Sequence, residues 1–281
     1  MCRNRRERRI LSVIQGILRF FDTQGAVPTL YGWYHVLSLI ITAAITVWLC
    51  RIGRKHDADQ VRKVVFWTAV VVAVLEVYKQ INYSFGYEGG ITFDYQWYAF
   101  PWQFCSTPMY VGLLAGIIKK GKVHDALCAY LATFAIFAGL AVMIYPGDIY
   151  VETVGINFQS TVCHCSMLTI GGYLYASGHV KLEHKTVLKA MAVFCVTATV
   201  AVILNEVAFA VGIVPEHNFN MFYFSPHCDP SLPVYSLVQQ VVPYPWSLII
   251  YIVGFTAAAY LMLLIAMGID KLVKKKTRVA T

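Results

Sequence analysis

Long apolar runs separated by short polar links dominate the chain. A helix needs about 20 apolar residues to cross a hydrocarbon core of ~30 Å. Seven stretches meet or approach that length and predict helices over about 30–51 (A), 61–82 (B), 98–118 (C), 124–145 (D), 156–177 (E), 187–213 (F) and 245–269 (G). The segment 214–244 carries Pro215, Pro226, Pro230, Pro233 and Pro243 and reads as an ordered outer loop. Residues 1–29 begin with Arg3, Arg5, Arg6, Arg8 and Arg9, followed by ILSVIQGILRFF. That stretch is too short to span and lacks a small-residue cleavage site, so it predicts an interfacial amphipathic helix and not a cleaved signal. The expected fold is all-α: a polytopic bundle of seven transmembrane helices over 30–270, with a basic tail over 271–281.

Composition agrees with lipid as the solvent. Apolar residues make up 58% of the chain and charged residues 14%, against about a quarter charged in soluble domains. The net charge of +8 does not imply nucleic acid, because no aromatic-plus-basic module accompanies it. The basic residues instead mark topology. Arg51, Arg54, Lys55, Arg62 and Lys63 fall at the A–B link, Lys119, Lys120 and Lys122 at C–D, and Lys181, Lys185 and Lys189 at E–F; Lys271, Lys274, Lys275, Lys276 and Arg278 form the tail. The B–C, D–E and F–G links have none. By the positive-inside rule the four basic segments, including the C-terminus, are cytoplasmic, as expected of a multi-pass protein of the cell membrane. Seven spans then put the N-terminus outside, so the arginine-rich arm either lies on the outer surface or re-enters the bilayer.

Ionisable groups within spans are costly and usually face the bundle interior. Here they are His35, Glu76, Lys79, His164 and Glu206, joined by Gln103, Cys105, Asn157 and Asn205. Counted from the predicted helix ends, His35, Glu76, Cys105, His164 and Glu206 share a layer roughly 8–12 Å below the outer face. Glu76 and Lys79, three apart, are placed to pair. Cys105 sits in Phe100-Pro101-Trp102-Gln103-Phe104-Cys105-Ser106-Thr107-Pro108. Pro108 removes a backbone donor and frees the carbonyl four residues before it, which predicts a broken helix of the kind tolerated where it lines a cavity. Gly112 and Gly116 follow on a face suited to close helix contact. On helix E, Asn157, Ser160, His164 and Gly171 share a face. Cys163 and Cys165 point ~100° to either side of His164 and make a poor metal clamp. No metal or cofactor is expected. Cys50, Cys105, Cys128, Cys163, Cys165 and Cys195 fall inside apolar runs, with Cys2 and Cys228 outside, so no disulfide framework is indicated.

Three segments carry a resemblance: FPWQFC at 100–105, TVCHCSML at 161–168 and NFNMFYF at 218–224. Together with the heptahelical pattern they resemble the YwaF-like family of bacterial membrane proteins, related to an animal membrane acyltransferase that places acyl chains on ether phospholipids. Gln103 stands where that family has a histidine, and Phe219 where it has a tyrosine. The resemblance implies a cysteine nucleophile, Cys105, with a histidine partner, His164. The function expected on this basis is transfer of a fatty acyl chain between phospholipids through a cysteine thioester, with membrane phospholipids and lysophospholipids as partners. Gln103 or Asn157 would donate to the oxyanion, and Glu76, Glu206 or His35 would orient His164 or bind a headgroup; Lys79 and Asn205 complete the polar set. The alternatives are a transporter or ion-coupled carrier, which a broken helix and an acidic pair would suit, and a heptahelical sensor lidded by the 214–244 loop.

Overall fold

The computed structural model describes residues 5–87, 90–147, 149–214 and 218–279. The expected positions Cys2, Arg3 and Pro215 lie outside the described residues, as do the side chains of Arg5, Arg6, Arg8, Lys276 and Arg278. The chain forms ten α-helices among these residues: α1 Arg5–Phe21, α2 Trp33–Gly53, α3 Ala58–Asn82, α4 Thr107–Ile117, α5 Lys122–Ala132, α6 Phe134–Ile144, α7 Val154–Ala176, α8 Lys185–Ala210, α9 Tyr235–Val241 and α10 Trp246–Val279. A two-stranded antiparallel hairpin, β1 Phe85–Gly86 and β2 Thr92–Phe93, is the only sheet described.

Apolar side chains cover the outside of the bundle, and its interior combines an apolar core with buried polar groups. On α2 the buried residues are His35, Ser38, Thr42 and Gly53, while Val36, Leu37, Ile40, Ile41, Ile45 and Trp48 are exposed. A water-soluble helix buries its apolar stripe; here apolar side chains face outward, as lipid requires. Among the described residues, five helical stretches are long and apolar enough to cross a membrane: Trp33–Gly53, Ala58–Asn82, Lys122–Ile144, Lys185–Ala210 and Trp246–Lys275. The fold is thus an all-α membrane bundle. Reaching the expected count of seven also needs α7 and segment 97–117. Helix α7 packs against α2, α3, α5 and α6; a helix enclosed by protein on so many sides has no need of a uniformly apolar surface.

Two expected helices are interrupted. Helix C is a 3-10 turn at Trp97–Ala99, a non-helical stretch over 100–106, and the 11-residue α4. At ~1.5 Å per residue α4 covers only about half of a bilayer core. Helix D is α5 and α6, hinged at Thr133, which leaves helical geometry at φ −128°, ψ −75°. Nothing in the sequence signalled that hinge. Helix G extends to Val279, so the described part of the basic tail continues the last helix.

Cross-contacts fix the helix directions. Tyr34, Thr42 and Thr46 of α2 meet Thr161, Cys165 and Thr169 of α7 in step, so these helices run parallel. At one end of the bundle His56 meets Tyr173, Arg62 meets the Gly116 carbonyl, and His124 meets His179. His184 meets Tyr260 at the same end. The basic links therefore gather together. The other end holds the close of α1: Tyr78 and Asn82 donate to the Phe21 carbonyl, and Thr153 donates to Asp22. The close of α1 thus lies at the face opposite the basic links. Helix α1 leaves Ile10, Val13, Ile14, Ile17 and Phe20 exposed along one side, as an interfacial helix should.

Glycines set the closest contacts. A Cβ at Gly112 would lie 2.9 Å from the Ala69 Cβ, and one at Gly116 would lie 2.4 Å from the Phe66 Cβ, so the expected small-residue face of α4 is the one that meets α3. At Gly139 of α6 a Cβ would meet the His164 carbonyl at 2.7 Å and the Met167 Cβ at 2.9 Å. A backbone oxygen cannot rotate away. Gly139→Ala is expected to push α6 from α7 and cost ~1–3 kcal/mol, read as a lower thermal unfolding midpoint in detergent; an unchanged midpoint would show that this contact yields freely.

The 214–244 segment is not merely an outer loop. Met221 and Phe222 are fully buried, as are Phe219, Asn220 and Phe224. Phe222 joins an aromatic core with Phe104 and Phe194, and Phe194 stacks on Phe134 at 4.5 Å. Asn205 grips the loop backbone, accepting from the Met221 N–H (2.8 Å) and donating to its carbonyl (3.0 Å). Gln103 does the same from the opposite side, donating to the Asn220 carbonyl and accepting from the Phe222 N–H, both at 3.2 Å. The two amides hold Phe222 and Tyr223 at φ 61° and 59°, a region that costs a non-glycine residue free energy unless its surroundings impose it.

Candidate active site

The break at 100–106 presents Cys105 to the interior. Cys105 lines a cavity of about 30 Å³ with Pro108, Met109 and Gly112 from α4, Val65, Ala69 and Val72 from α3, and Cys163, Ser166 and Met167 from α7. That volume holds a water or two. The Cys163 thiol reaches the Cys105 carbonyl at 3.6 Å, so α7 touches the break one residue before His164.

His164 is buried. Its Nδ1 lies 2.7 Å from the Ser160 carbonyl, which can only accept. The proton therefore sits on Nδ1, and Nε2 carries a bare lone pair. That Nε2 is buried without a hydrogen-bond partner. No direct bond joins it to Cys105, and His164 is not in the cavity wall; the wall is made by the Cys163 face of the helix. No contact between Cys105 and His164 forms the expected dyad; α7 meets the break through Cys163 instead.

Glu76 and Lys79 pair at 2.8 Å, as their spacing predicted, with the carboxylate 8% and the ammonium side chain 15% exposed. Glu76 also accepts from Gln80 (2.8 Å) and from Gln159 of α7 (3.3 Å). Gln80 in turn accepts from the Tyr95 hydroxyl at 2.7 Å and donates to the Ala99 carbonyl at 2.8 Å. The carboxylate is thereby satisfied by three donors, which is what burial demands. Sequence reasoning missed Gln80, Tyr95 and Gln159. The signal was present: Gln80 follows Glu76 by four residues, and Gln159 shares α7 with His164.

The other expected members lie elsewhere. His35 accepts from the Tyr31 N–H at 3.0 Å and donates to the Met143 carbonyl at 2.8 Å; with both nitrogens used, it pins α2 to the end of α6 and has none left to orient His164. Glu206 is an exposed residue paired with His227 at 3.1 Å, outside the buried set. Its place late in α8 matched the depth of the others, but depth does not fix the face. Asn157 exchanges bonds with the Val151 N–H (2.8 Å) and carbonyl (2.7 Å), so its amide is spent closing the turn before α7. Gln103 and Asn205 are spent on the 220–222 backbone. The role expected of Gln103 or Asn157 as oxyanion donor thus finds Asn157 committed and Gln103 occupied. Cys163 and Cys165 diverge, Cys165 lying 2.6 Å from Thr42.

A polytopic helical membrane protein with an interrupted helix, an inward-folded loop and a buried ion pair is the class these features define. The chain belongs to the TMEM164 family: that family's model matches residues 30–265. No curated protein and no solved structure matches the chain.

Proposed function

We propose that the protein is a transacylase that moves a fatty acyl chain from a membrane phospholipid to a lysophospholipid through a thioester on Cys105. The observation that carries this reading is the buried, unpartnered Nε2 of His164. A polar atom left bare inside a membrane bundle is costly, and it is well suited to accept a proton that arrives only during reaction. Catalytic hydrogen bonds often close only around substrate, which suits a dyad not yet bonded. The resemblance of the FPWQFC, TVCHCSML and NFNMFYF segments to YwaF-like proteins supports the same assignment.

In this mechanism His164 Nε2 takes the Cys105 thiol proton, and the thiolate attacks the ester carbonyl of the donor. The tetrahedral intermediate collapses with loss of the lysolipid oxygen, which receives the proton from the imidazolium. The acceptor hydroxyl then gives its proton to Nε2 and attacks the thioester, and the departing thiolate is reprotonated. Lys79, which keeps N–H groups beyond its bond to Glu76, stabilises the developing oxyanion in place of the committed amides. An apolar groove between α6, α10 and the 232–238 segment, lined by Phe137, Val142, Tyr251 and Phe255, is large enough to hold an acyl chain. Phe255 packs on Phe104, next to Cys105.

The donor assignment rests on the positive-inside reading: if the basic links are cytoplasmic, the site, which lies toward the opposite end, falls in the outer half of the bilayer, where acyl-CoA with its charged head does not reach. Purified protein given a labelled phospholipid and a lysolipid, without CoA, should carry label first as a hydroxylamine-sensitive thioester on Cys105 and then on the acceptor. Strict dependence on acyl-CoA would reject the donor assignment. The buried Glu76–Lys79–Gln159 group favours one second reading, an ion-coupled carrier; substrate uptake that survives Cys105→Ser would select it.

A further inference from the structure

A separate cluster lies at the basic end of the bundle. His124 and Cys128 stand one turn apart on α5, and His179 follows the close of α7. The Nε2 atoms of His124 and His179 face each other at 2.7 Å, and the Cys128 Sγ is 3.6 Å from His124 Nε2. One donor atom from each residue falls within 4.8 Å of the others. Ala115, whose carbonyl touches this cluster, is ten residues beyond Cys105, about 15 Å along helical chain, so this is not the acyl-transfer site.

We propose that His124, Cys128 and His179 form a binding site for a thiophilic divalent metal of the zinc class. The His124 ring is set up as a ligand. Its Nδ1 meets the Ala115 carbonyl at 3.1 Å, so Nδ1 holds the proton and Nε2 turns its lone pair toward the cluster. A backbone carbonyl fixing the tautomer in this way is the usual outer partner of a metal-bound histidine. The spacing fits as well. Tetrahedral zinc, with bonds of about 2.0 Å to nitrogen and 2.3 Å to sulfur, separates N from S by about 3.5 Å and N from N by about 3.3 Å. The sulfur–nitrogen pair already stands at that separation, and the two imidazoles need open by only about 0.6 Å. His179 can supply this movement, because it is half-buried in the 177–184 link and follows Gly178, whose φ is +70°.

Binding would release the Cys128 thiol proton to solvent, shift the His179 proton from Nε2 to Nδ1, and leave a fourth position for water. The ion would clip α5 to the α7–α8 link, with α4 held through the Ala115 carbonyl. The sequence alone did not show the site, because the two histidines lie 55 residues apart.

The test uses the full-length protein in detergent, stripped with EDTA and titrated with Co²⁺. One equivalent should bring a near-ultraviolet thiolate-to-cobalt band with visible bands of tetrahedral intensity, both displaced by Zn²⁺. Cys128→Ser should lose the near-ultraviolet band, and His179→Gln should weaken Co²⁺ binding at least ~10-fold; Cys163→Ala should change neither. Zn²⁺ should also raise the unfolding midpoint of the unmutated protein over EDTA, a readout that needs no variant to fold. Absence of the thiolate band and of the midpoint shift in the unmutated protein overturns the proposal. So does a band that persists in Cys128→Ser.

Discussion

Cys105→Ala is expected to lower transacylation by at least ~10³-fold, because the reading gives this sulfur both bond-making steps and the variant has no other nucleophile in its place. The fold should survive. Cys105 borders a cavity of about 30 Å³, so removing its sulfur enlarges an existing space and severs no helix contact described here. Two measurements check the claim together: the acyl adduct by intact mass, and label on the lysolipid acceptor. Cys163→Ala is the informative control. Its thiol touches the Cys105 carbonyl, so the variant perturbs the same spot while leaving the proposed nucleophile. Purified Cys105→Ala with the unmutated rate would exclude covalent catalysis at this position. A loss in Cys163→Ala as deep as in Cys105→Ala would move the chemistry to the neighbouring sulfur, which also faces the cavity.

Helix boundaries were legible to within a few residues wherever apolar length alone decides them. Expected helix B begins at 61 and α3 at Ala58; expected E begins at 156 and α7 at Val154. The break before α4 was legible because proline removes a particular donor. The Thr133 hinge was not, since threonine is tolerated in continuous helices and only its tertiary setting shows the turn. The Glu76–Lys79 pair followed from spacing on one helix. What failed was inference across helices. Glu206 and His35 have depths like those of the site residues, but depth leaves the rotation of each helix open, and rotation decides whether a side chain meets Lys79, a loop or the surface. The inward path of 218–224 had a further cause. Its proline-rich surroundings look like an outer loop, whereas Phe219, Met221, Phe222 and Phe224 are a core in composition. The amides that hold them there, Gln103 and Asn205, looked like catalytic polar groups for the same reason that they are useful clamps: each offers a donor and an acceptor together.

The largest effect on stability is expected at Lys79. Lys79→Met leaves the Glu76 carboxylate buried with two amide donors and no cation, and removal of one partner of a buried ion pair costs about 3–5 kcal/mol. The double variant Glu76→Leu with Lys79→Met takes both charges out together, and such replacements are often neutral or stabilising. Its unfolding midpoint in detergent should therefore return to, or exceed, that of the unmutated protein, although Gln159 and Gln80 each lose an acceptor. That restored variant separates two roles the pair can play. If Lys79 serves the oxyanion, the double variant is stable yet slow, and its thioester forms at a reduced rate while Cys105 remains reactive. If the pair only joins α3 to α7, stability and rate recover together. A Lys79→Met protein as stable as the unmutated one would mean that water reaches Glu76, and the buried network described here would lose its energetic basis.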